Sequence, residues 1–467
     1  MKILQFLDTP ELMGDIFRGD SWEAWRAVLS AAFCVPMDEH RMALFAAVSG
    51  GRKPPSERVR ELYAVVGRRA AKTHTAGAVA LYLATVGAEL GNLKAKLSPG
   101  ERGVIALIAV NKPQATLAMG YILGAIDNSP TLSSMVLHRG RTAVEFTNNT
   151  VIEVHSNNFR AIRGRTLLAL LMDEVAFFRS EESANPDFEL YRAALPGLAT
   201  TGGLLFGFSS PYARRGLLYD KHRKHFGQDG DVLVVQGTTQ DFNPTIDPRI
   251  IEEALADDPE GARAEWLGEF RSDLEAFISR EVIESLVRPS PLELPYNRTH
   301  RYFGFVDPAG GGQDDFTLAI AHLEETTVVI DVVRGLKGVP ADIVAEYAPI
   351  LKSYRIPEVK GDHYAGSWPA DEFRKHGIRF TNADKPKSGL YQDCLPMLNS
   401  GRVQLPPHAK LVNQFCSLER RTSRSGRDSI DHPPSGHDDL ANAVAGAAVH
   451  TAKPAATMSI VAVAGAF

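Results

Sequence analysis

Short apolar runs alternate with longer stretches of helical spacing between about residue 59 and residue 235. Six of these runs have the length and composition of buried strands, at residues 62–67, 104–110, 147–154, 167–173, 203–210 and 232–237. Because parallel strands need crossovers that are usually helical, this alternation predicts an α/β domain with a mostly parallel sheet. Residues 11–49, in which large apolar residues stand among small ones, predict helices ahead of that sheet.

A second α/β pattern begins after residue 300. Three strands, predicted at 302–307, 316–324 and 327–335, follow one another closely and indicate an antiparallel meander. The pattern then continues with a helix near 340–353, a strand at 357–362, a helix near 388–400, a short strand from 403 and a final helix at 438–451. The second pattern therefore predicts a mixed sheet with helices.

Residues 286–300 hold three prolines and little periodicity, which is typical of a linker between domains. At roughly 150 residues per domain, a chain of 467 residues would hold about three domains, and two sizeable α/β domains fit equally well. We expect a first domain at 1–275 with an N-terminal helical segment and a lid, a linker at 276–300, a second domain at 301–452 and a flexible tail at 453–467.

Composition narrows the class of protein. Hydrophobic residues make up 44% of the chain and charged residues 23%, so global disorder is not expected. The three cysteines are scattered, which argues against a disulfide framework or a zinc knuckle and favours a reducing compartment. The N-terminal segment contains acids and no long apolar run occurs, so we expect neither export nor a membrane span.

The formal net charge is −5, so any contact with nucleic acid must come from local basic patches. Two patches exist, at residues 214–225 and 419–428. Each has the alternative interpretation of a solvated surface, which is the more frequent role of an isolated charge run.

A phosphate-binding loop is predicted after the first strand. Gly67, Arg68, Arg69, Ala70 and Ala71 lead from the strand to Lys72 and Thr73, which open a helix-compatible run. At such a junction, backbone N–H groups and the positive helix end meet a lysine and a hydroxyl, a combination suited to a triphosphate and Mg²⁺. Ala71 takes the place of the second glycine of the usual pattern, and an ordinary strand–turn–helix is the alternative.

Residues 167–174 form an almost wholly apolar run that ends in Asp173 and Glu174. This pattern is expected of a central strand with carboxylates at its C-terminal end. In nucleotide hydrolases the first such acid orders Mg²⁺ and the second polarises the attacking water. Ser209 and Ser210 end the next strand. If these strands belong to one sheet, their ends together predict a site for ATP and Mg²⁺. The alternative interpretation of the two acids is a strand that simply stops at a polar turn.

The second domain offers carboxylates from separate elements. Asp307 and Asp362 close predicted strands, and Asp438 and Asp439 open the last helix. Such a set of carboxylates suits Mg²⁺ or Mn²⁺, and two such ions can promote the cleavage of a phosphodiester. The alternative role of each single acid is that of a helix cap or a turn residue. The glycine run 310–312 would admit a bulky ligand. Further candidates are Asp314, Asp315, His363, His437, Lys385 and Lys387.

In combination, these motifs resemble the large terminase subunit of tailed bacteriophages, the DNA-packaging motor and nuclease. The motifs are GRRAAKT, LLMDE and FSSP, followed by VDPAGGGQDDFT, VKGDH and GHDDLANAV. The resemblance covers about residues 40–450. It implies an N-terminal P-loop ATPase domain of the ASCE/RecA-like type and a C-terminal RNase H-like nuclease domain. Ala71 departs from the family, which usually has glycine there.

The resemblance also implies roles for residues. Lys72 and Thr73 would bind phosphate and Mg²⁺, with Gly67, Arg69 and Ala71 in the same loop, and Arg68 would touch the γ-phosphate. Asp173 would order Mg²⁺, Glu174 would be the catalytic base, and Ser209 and Ser210 would couple hydrolysis to movement. Arg163 is similar to the arginine that enters a neighbouring subunit, with Arg160 and Arg165 as alternatives. Asp307, Asp362 and Asp438 or Asp439 would hold the nuclease metals, and Asp438 is slightly favoured.

The resemblance implies double-stranded DNA, a portal protein and a small terminase subunit as partners, and a pentameric ring of this chain on the procapsid in the host bacterial cytoplasm. Isolated copies are compatible with a monomer. Two alternatives remain: a helicase–nuclease of DNA repair or defence, and a non-catalytic DNA-binding structural protein with a decayed nucleotide pocket.

Overall fold

The computed structural model describes residues 1–90, 93–156, 162–178, 186–308, 314–362, 368–422, 428–434 and 436–452. The predicted tail at 453–467, Arg160, the glycine run 310–312 and His363 lie outside the described residues. The chain divides into two compact units, Met1–Asp273 and Leu274–Phe467. Within the described residues, no helix combines the length and the apolar character that a membrane span requires.

The first unit is built on an eight-stranded sheet. Its strands are β1 (Glu61–Val66), β2 (Gly103–Ala109), β3 (Val136–Arg139), β4 (Ala143–Phe146), β5 (Thr150–Ser156), β6 (Leu167–Asp173), β7 (Leu204–Ser209) and β8 (Val232–Gly237). They stand in the order β3-β4-β5-β2-β6-β7-β1-β8. The six strands from β5 to β8 are parallel, and β3 and β4 extend one edge as antiparallel strands.

The six predicted strands form the parallel part of this sheet. Their continuous apolar runs are buried over their whole length in β1, β2, β6 and β7, as expected where helices cover both faces of a sheet. The strand β7 lies between β1 and β6, and all three are parallel. The loop after β1 and the acids at the end of β6 therefore lie at the same end of the sheet. The prediction of an α/β fold with a mostly parallel sheet is confirmed.

Helices precede and connect these strands. They are α1 (Ile3–Asp8), α2 (Glu23–Ala32), α3 (Glu39–Val48), α4 (Lys72–Ala84), α5 (Gly87–Leu90), α6 (Lys112–Asp127), α7 (Pro130–Ser134), α8 (Pro186–Thr201), α9 (Gly216–His225), α10 (Thr239–Phe242), α11 (Pro248–Asp257) and α12 (Pro259–Leu267). The predicted N-terminal helical region contains α2 and α3. Trp25 of α2 is buried and donates a hydrogen bond from Nε1 to the carbonyl of Ala70, at 2.7 Å, so this helix supports the loop after β1.

The second unit contains a mixed six-stranded sheet and a small antiparallel one. Its strands are β9 (Leu274–Ala276), β10 (Tyr302–Asp307), β11 (Phe316–Glu324), β12 (Thr327–Leu336), β13 (Glu358–Gly361), β14 (Arg379–Asn382), β15 (Val403–Gln404), β16 (Glu419–Thr422) and β17 (Asp428–Asp431). The large sheet has the order β14-β13-β10-β11-β12-β15, and the small one β17-β16-β9.

The meander predicted for β10, β11 and β12 is antiparallel in the structure, and β13 and β14 add parallel strands beside β10. This arrangement confirms the predicted mixed sheet. The helices of this unit are α13 (Arg280–Ser285), α14 (Pro340–Ser353), α15 (Trp368–Lys375), α16 (Lys387–Asn399), α17 (Ala409–Ser417) and α18 (Asp439–Ala452). The predicted linker 276–300 includes α13, whose Ile283 is buried in the core of this unit.

The basic patch predicted at 214–225 is smaller than its charge count indicates. Lys221 is 8% exposed, and its Nζ atom donates to Glu61 Oε2 at 2.5 Å. Lys224 pairs with Asp220 at 2.8 Å. In the second patch, Arg420 pairs with Asp428 and Arg421 with Glu419, while residues 423–427 lie outside the described part.

Candidate functional site

The loop after β1 is shaped by close packing. A Cβ atom on Gly67 would lie 2.4 Å from Thr239 Oγ1 and 2.6 Å from the carbonyl oxygen of Trp266, so only glycine fits there. Arg69 and Ala71 adopt the left-handed conformation, with φ of 61° and 57°. Helix α4 begins at the next residue, Lys72, so its free N–H groups face the space above the sheet edge.

Lys72 is buried at this edge, with 4% exposure. Its Nζ atom donates to the carbonyl of Gly67 and to Ser210 Oγ, both at 2.9 Å. The same atom lies 3.2 Å from Glu174 Oε1. The ammonium therefore joins the ends of β1, β6 and β7 in one cluster.

Asp173 has the environment of a cation ligand. Thr73 Oγ1 donates to Asp173 Oδ2 at 2.7 Å, and Asp173 Oδ1 is buried without a hydrogen-bond partner among the described residues. Burial, and then the charge of Glu174, raise the pKa of Asp173 to about 7. A hydroxyl beside a carboxylate with a free oxygen fits a hard divalent cation such as Mg²⁺, which would balance the buried charge.

Glu174 follows β6 in the left-handed conformation, with φ of 56°. Its Oε2 atom accepts hydrogen bonds from Ser209 Oγ at 3.2 Å and from the Ser210 N–H at 3.0 Å. A loop residue with an unusual backbone conformation is thus held by the end of the neighbouring strand. The carboxylate is therefore anchored to the end of β7.

The arginines predicted for this site lie further out. Arg68 is exposed, and its guanidinium pairs with Glu265 at 3.1 Å. Arg163 is exposed ahead of β6 and lines a cavity of about 960 Å³ with Arg165 and Arg192. Since β6 starts at this cavity and ends at Asp173, Arg163 and Asp173 lie at opposite ends of that strand.

The second unit brings its carboxylates together at one sheet edge. Asp307 ends β10 and Asp362 follows β13, and these strands are parallel neighbours. Asn442 of α18 donates from Nδ2 to Asp307 Oδ2 at 2.8 Å and to Asp362 Oδ2 at 3.0 Å. One neutral amide therefore orients both acids, while its own Oδ1 atom is buried without a hydrogen-bond partner in the described ranges.

The two acids at the start of α18 have different partners. Asp438 is 4% exposed and accepts a hydrogen bond from the Tyr391 hydroxyl at 2.9 Å, and Lys387 Nζ lies 3.1 Å from the same Oδ2 atom. Asp439 accepts from the N–H of Asp315 at 3.2 Å. Of these two acids, Asp438 forms a salt bridge with a lysine, whereas Asp439 has no lysine contact among the described residues.

Electrostatics links all four acids. Burial raises the pKa of Asp307 to about 7, against the hydrogen bond from Asn442, and the charges of Asp362, Asp439 and Asp438 raise it further, in that order. Burial also raises the pKa of Asp439 to about 6. An all-oxygen donor set with this excess of negative charge fits Mg²⁺ or Mn²⁺.

The further candidates that the structure describes are paired with neighbouring charged groups. His437 lies 3.0 Å from Asp314, and Lys410 lies 2.9 Å from Asp315. Lys385 pairs with Asp393 at 2.8 Å, whereas Lys387 contacts Asp431 at 2.7 Å as well as Asp438.

Sequence reasoning missed Asn442 and Tyr391. Asn442 stands three and four residues after the two acids of α18, a spacing that puts it on their helix face, so its position carried a usable signal. Tyr391 reaches Asp438 from α16, nearly 50 residues away along the chain, and no local pattern marks it.

No family model matches this chain, and no curated protein matches it. Among solved structures, it is similar to the large terminase of bacteriophage HK97, with 16% identity, 96% of this chain and 99% of that chain covered, and a TM-score of 0.44. A large terminase of a thermophilic bacteriophage in complex with ADP shares 13% identity over 84% of this chain and 93% of that chain, with a TM-score of 0.37. The large terminase nuclease of thermophilic phage G20c with bound magnesium shares 21% identity over 37% of this chain and 95% of that chain, with a TM-score of 0.32.

Proposed function

We propose that this chain is the large terminase subunit of a tailed bacteriophage, which couples ATP hydrolysis to the translocation of double-stranded DNA into a procapsid and cuts concatemeric DNA. One observation carries the proposal: a single chain holds both a lysine–threonine–carboxylate cluster at the end of a parallel sheet and a separate four-carboxylate cluster in a second unit. The first cluster suits a nucleotide with Mg²⁺, and the second suits divalent ions at a phosphodiester.

In the first unit, Lys72 would bind the terminal phosphates of ATP, and Thr73 and Asp173 would hold Mg²⁺. When bound, Mg²⁺ supplies positive charge against the phosphate oxygens. The ammonium of Lys72 contacts Glu174 directly, so a phosphate that attracts Lys72 would compete with that carboxylate. Glu174 would then orient the attacking water and accept its proton.

Ser209 and Ser210 would transmit this change. Ser210 donates through its N–H to Glu174 and accepts a hydrogen bond from Lys72. When ATP draws Lys72 away from Glu174, both contacts of Ser210 change together. The end of β7 is thereby coupled to the state of the nucleotide, which is what a motor needs in order to convert hydrolysis into movement.

In the second unit, Asp307, Asp362 and Asp439 or Asp438 would hold Mg²⁺ or Mn²⁺. Bound ions of this kind activate a water and stabilise the leaving oxygen of a phosphodiester. Asn442 would fix Asp307 and Asp362 in the orientation that the ions require. The salt bridge between Lys387 and Asp438 favours Asp439 as the third metal ligand and Asp438 as the acid that positions Lys387.

The proposed partners are double-stranded DNA, a portal protein, a small terminase subunit and further copies of this chain in a pentameric ring in the host cytoplasm. The position of Arg163 at the end of β6 opposite Asp173 supports a role towards a neighbouring copy rather than within its own site. Arg68 would have to leave Glu265 to reach a γ-phosphate.

The two activities are tested with paired variants of the full chain. Lys72→Ala should abolish DNA-stimulated ATP hydrolysis and leave Mn²⁺-dependent plasmid cutting intact, because the lysine belongs to the first unit alone. Asp307→Ala should abolish cutting and leave ATP hydrolysis intact. Lys53→Ala and Asp342→Ala, which change exposed residues of the same types, serve as matched controls.

Equal ATPase rates for wild type and Lys72→Ala would remove the ATPase assignment, and plasmid cutting unchanged by Asp307→Ala would remove the nuclease assignment. ATP-driven strand separation without binding to a portal would favour the helicase–nuclease alternative. The absence of both activities from the wild type would favour the non-catalytic DNA-binding alternative.

A further inference from the structure

A group of histidines and acids lies at the other end of the large sheet in the second unit. His322 of β11 pairs with Tyr302, the first residue of β10, whereas Asp307 is the last residue of that strand. At roughly 3.3 Å per residue, the two ends of β10 are about 17 Å apart. The group is therefore distinct from the carboxylate cluster, and the proposed nuclease does not use it.

The ring of His322 is fixed by a buried carboxylate. Asp331 of β12 is fully buried, and its two oxygens lie 3.0 and 2.8 Å from His322 Nδ1. Since a carboxylate can only accept, Nδ1 carries the hydrogen of this contact. The second ring nitrogen, Nε2, is thereby left with a lone pair whenever the imidazole is neutral.

The lone pair of Nε2 points at another acceptor. Glu324 Oε1 lies 3.1 Å from His322 Nε2, and the same oxygen lies 3.9 Å from His300 Nε2. Two acceptors at this distance repel each other unless a cation lies between them, either a proton on the ring or a metal ion.

A metal ion explains the third member, His300. Its ring centroid is 4.2 Å from that of His322, and the ligand atoms of His300, His322 and Glu324 all lie within 4.8 Å of one another. A proton between His322 and Glu324 would need no second imidazole nearby. Tetrahedral Zn²⁺, in contrast, places its ligand atoms about 3.3 Å apart and is often bound by two histidines and one glutamate. A carboxylate behind a ligating histidine is also the usual support in such sites.

We propose that His300, His322 and Glu324 form a binding site for a borderline transition-metal ion of the Zn²⁺ class, with Asp331 as the carboxylate that orients His322. The imidazole ligands select against Mg²⁺ and Ca²⁺, which prefer oxygen. Glu324 is half exposed, so the ion has access from solvent. His300 lies in the segment just before β10, and the ion would tie that segment to the end of β11.

The test uses Co²⁺ as the probe, because four-coordinate Co²⁺ with nitrogen ligands absorbs visible light far more strongly than Co²⁺ in an all-oxygen site. The full chain, freed of metal, should bind Co²⁺ with strong absorption that Zn²⁺ displaces and excess Mg²⁺ does not. His300→Ala and Glu324→Gln should each weaken this binding by at least about tenfold.

Two controls separate this site from its surroundings. Glu325→Gln, at the next glutamate, which is also exposed, should keep the absorption of the wild type. Asp307→Ala should also keep it, and this variant distinguishes the proposed site from the nuclease cluster.

The proposal is overturned if the wild type shows only weak absorption, if His300→Ala and Glu324→Gln bind Co²⁺ as the wild type does, or if Asp307→Ala removes the signal. Glu324→Gln replaces a half-exposed side chain by one of the same shape, so its fold, checked by circular dichroism, should be retained even if His300→Ala unfolds.

Discussion

Both units collect acids at the end of a sheet, but the acids are balanced differently. In the first unit, Lys72 contacts Glu174 at 3.2 Å, and Thr73 donates to Asp173. In the second unit, the neutral amide of Asn442 contacts two carboxylates. A site that contains its own ammonium can receive an anion together with a cation, as in ATP with Mg²⁺. In the second unit, Asp307 and Asp362 share a neutral amide, and the ammonium of Lys387 pairs with Asp438 instead, so the first two acids attract cations first and a phosphodiester can follow only after them.

The two sites also differ in the structural element that holds their acids. Glu174 is held by two hydrogen bonds from the end of β7. Asp307 and Asp362 are held by Asn442, which belongs to a long buried helix. The first arrangement suits a site that must change during a cycle, and the second suits a site of constant geometry.

The largest effect is expected from Glu174→Gln. The variant keeps the shape of the side chain but removes the proton acceptor, so ATP hydrolysis should fall about 10²- to 10⁴-fold while ATP binding persists. Steady-state ATPase assays and nucleotide binding measured on the same preparation check this, with the exposed Glu252→Gln as the control. A variant that hydrolyses ATP at the wild-type rate would contradict the role of Glu174.

A smaller effect is expected from Asn442→Ala. Loss of the amide leaves Asp307 and Asp362 to repel each other without a fixed geometry, so plasmid cutting should fall about 10- to 100-fold, and more Mg²⁺ should be needed for half-maximal cutting. Asn399→Ala, at an exposed asparagine of the same unit, is the matched control. If the Mg²⁺ requirement is unchanged, Asn442 does not position the acids.

The balance of charge also predicts how stability depends on pH. Asp173 and Asp307 both have their pKa raised from 3.8 to about 7 in the folded chain. The folded state therefore binds more protons than the unfolded state in this window, so these groups stabilise the fold fully below about pH 4, and this contribution is lost as the pH rises through 7. Bound Mg²⁺ should offset the loss.

This dependence is measured by thermal unfolding in EDTA and in Mg²⁺. Mg²⁺ should raise the unfolding temperature by a few degrees at about pH 8 and much less at about pH 5, where protons compete for the acids. Asp173→Asn and Asp307→Asn should each reduce the effect of Mg²⁺ at the higher pH. An equal effect of Mg²⁺ at both pH values would contradict the raised pKa of these acids.

The smallest effect concerns the loop of the first unit. Ala71 has a φ of 57°, a conformation that costs an alanine about 1–2 kcal/mol and a glycine nothing comparable. Because glycine also loses more entropy on folding, Ala71→Gly should raise the free energy of unfolding by at most about 1 kcal/mol. Urea unfolding checks this, and Ala256→Gly, in an exposed helical position, should lower stability by up to about 1 kcal/mol. A loss of stability in Ala71→Gly would show that the loop has no strain to relieve.

Local pattern predicted several strands to the residue. The bounds of β6, β8, β10 and β11 coincide with those expected, because each is a largely apolar run bounded by polar or turn residues. The strands β3 and β4 were not predicted, and neither was the small sheet of β9, β16 and β17. These strands have only three or four residues and mixed polar sequences, so they lack a local signal, and their pairing depends on more distant partners.

Charge count was a weaker guide than apolar pattern. Lys221 belongs to a run of basic residues that suggests a surface patch, yet it is buried against Glu61, 160 residues away. Ion pairs between distant residues leave no trace in a local sequence, because nothing in the run itself shows which cation will find a buried carboxylate.

By itself the sequence determined that the two large sheets form, that Asp173, Asp307 and Asp362 stand at strand ends and that Lys72 opens the helix after β1. Apolar runs set where strands stop, and parallel strands stop at a common edge. Only the tertiary structure decided the contacts made by side chains from separate elements: Asn442 between two acids, Lys387 on Asp438, and His300 beside His322. The physical reason is that strand formation responds to neighbours along the chain, whereas these contacts require the packing of a helix or loop on a finished sheet.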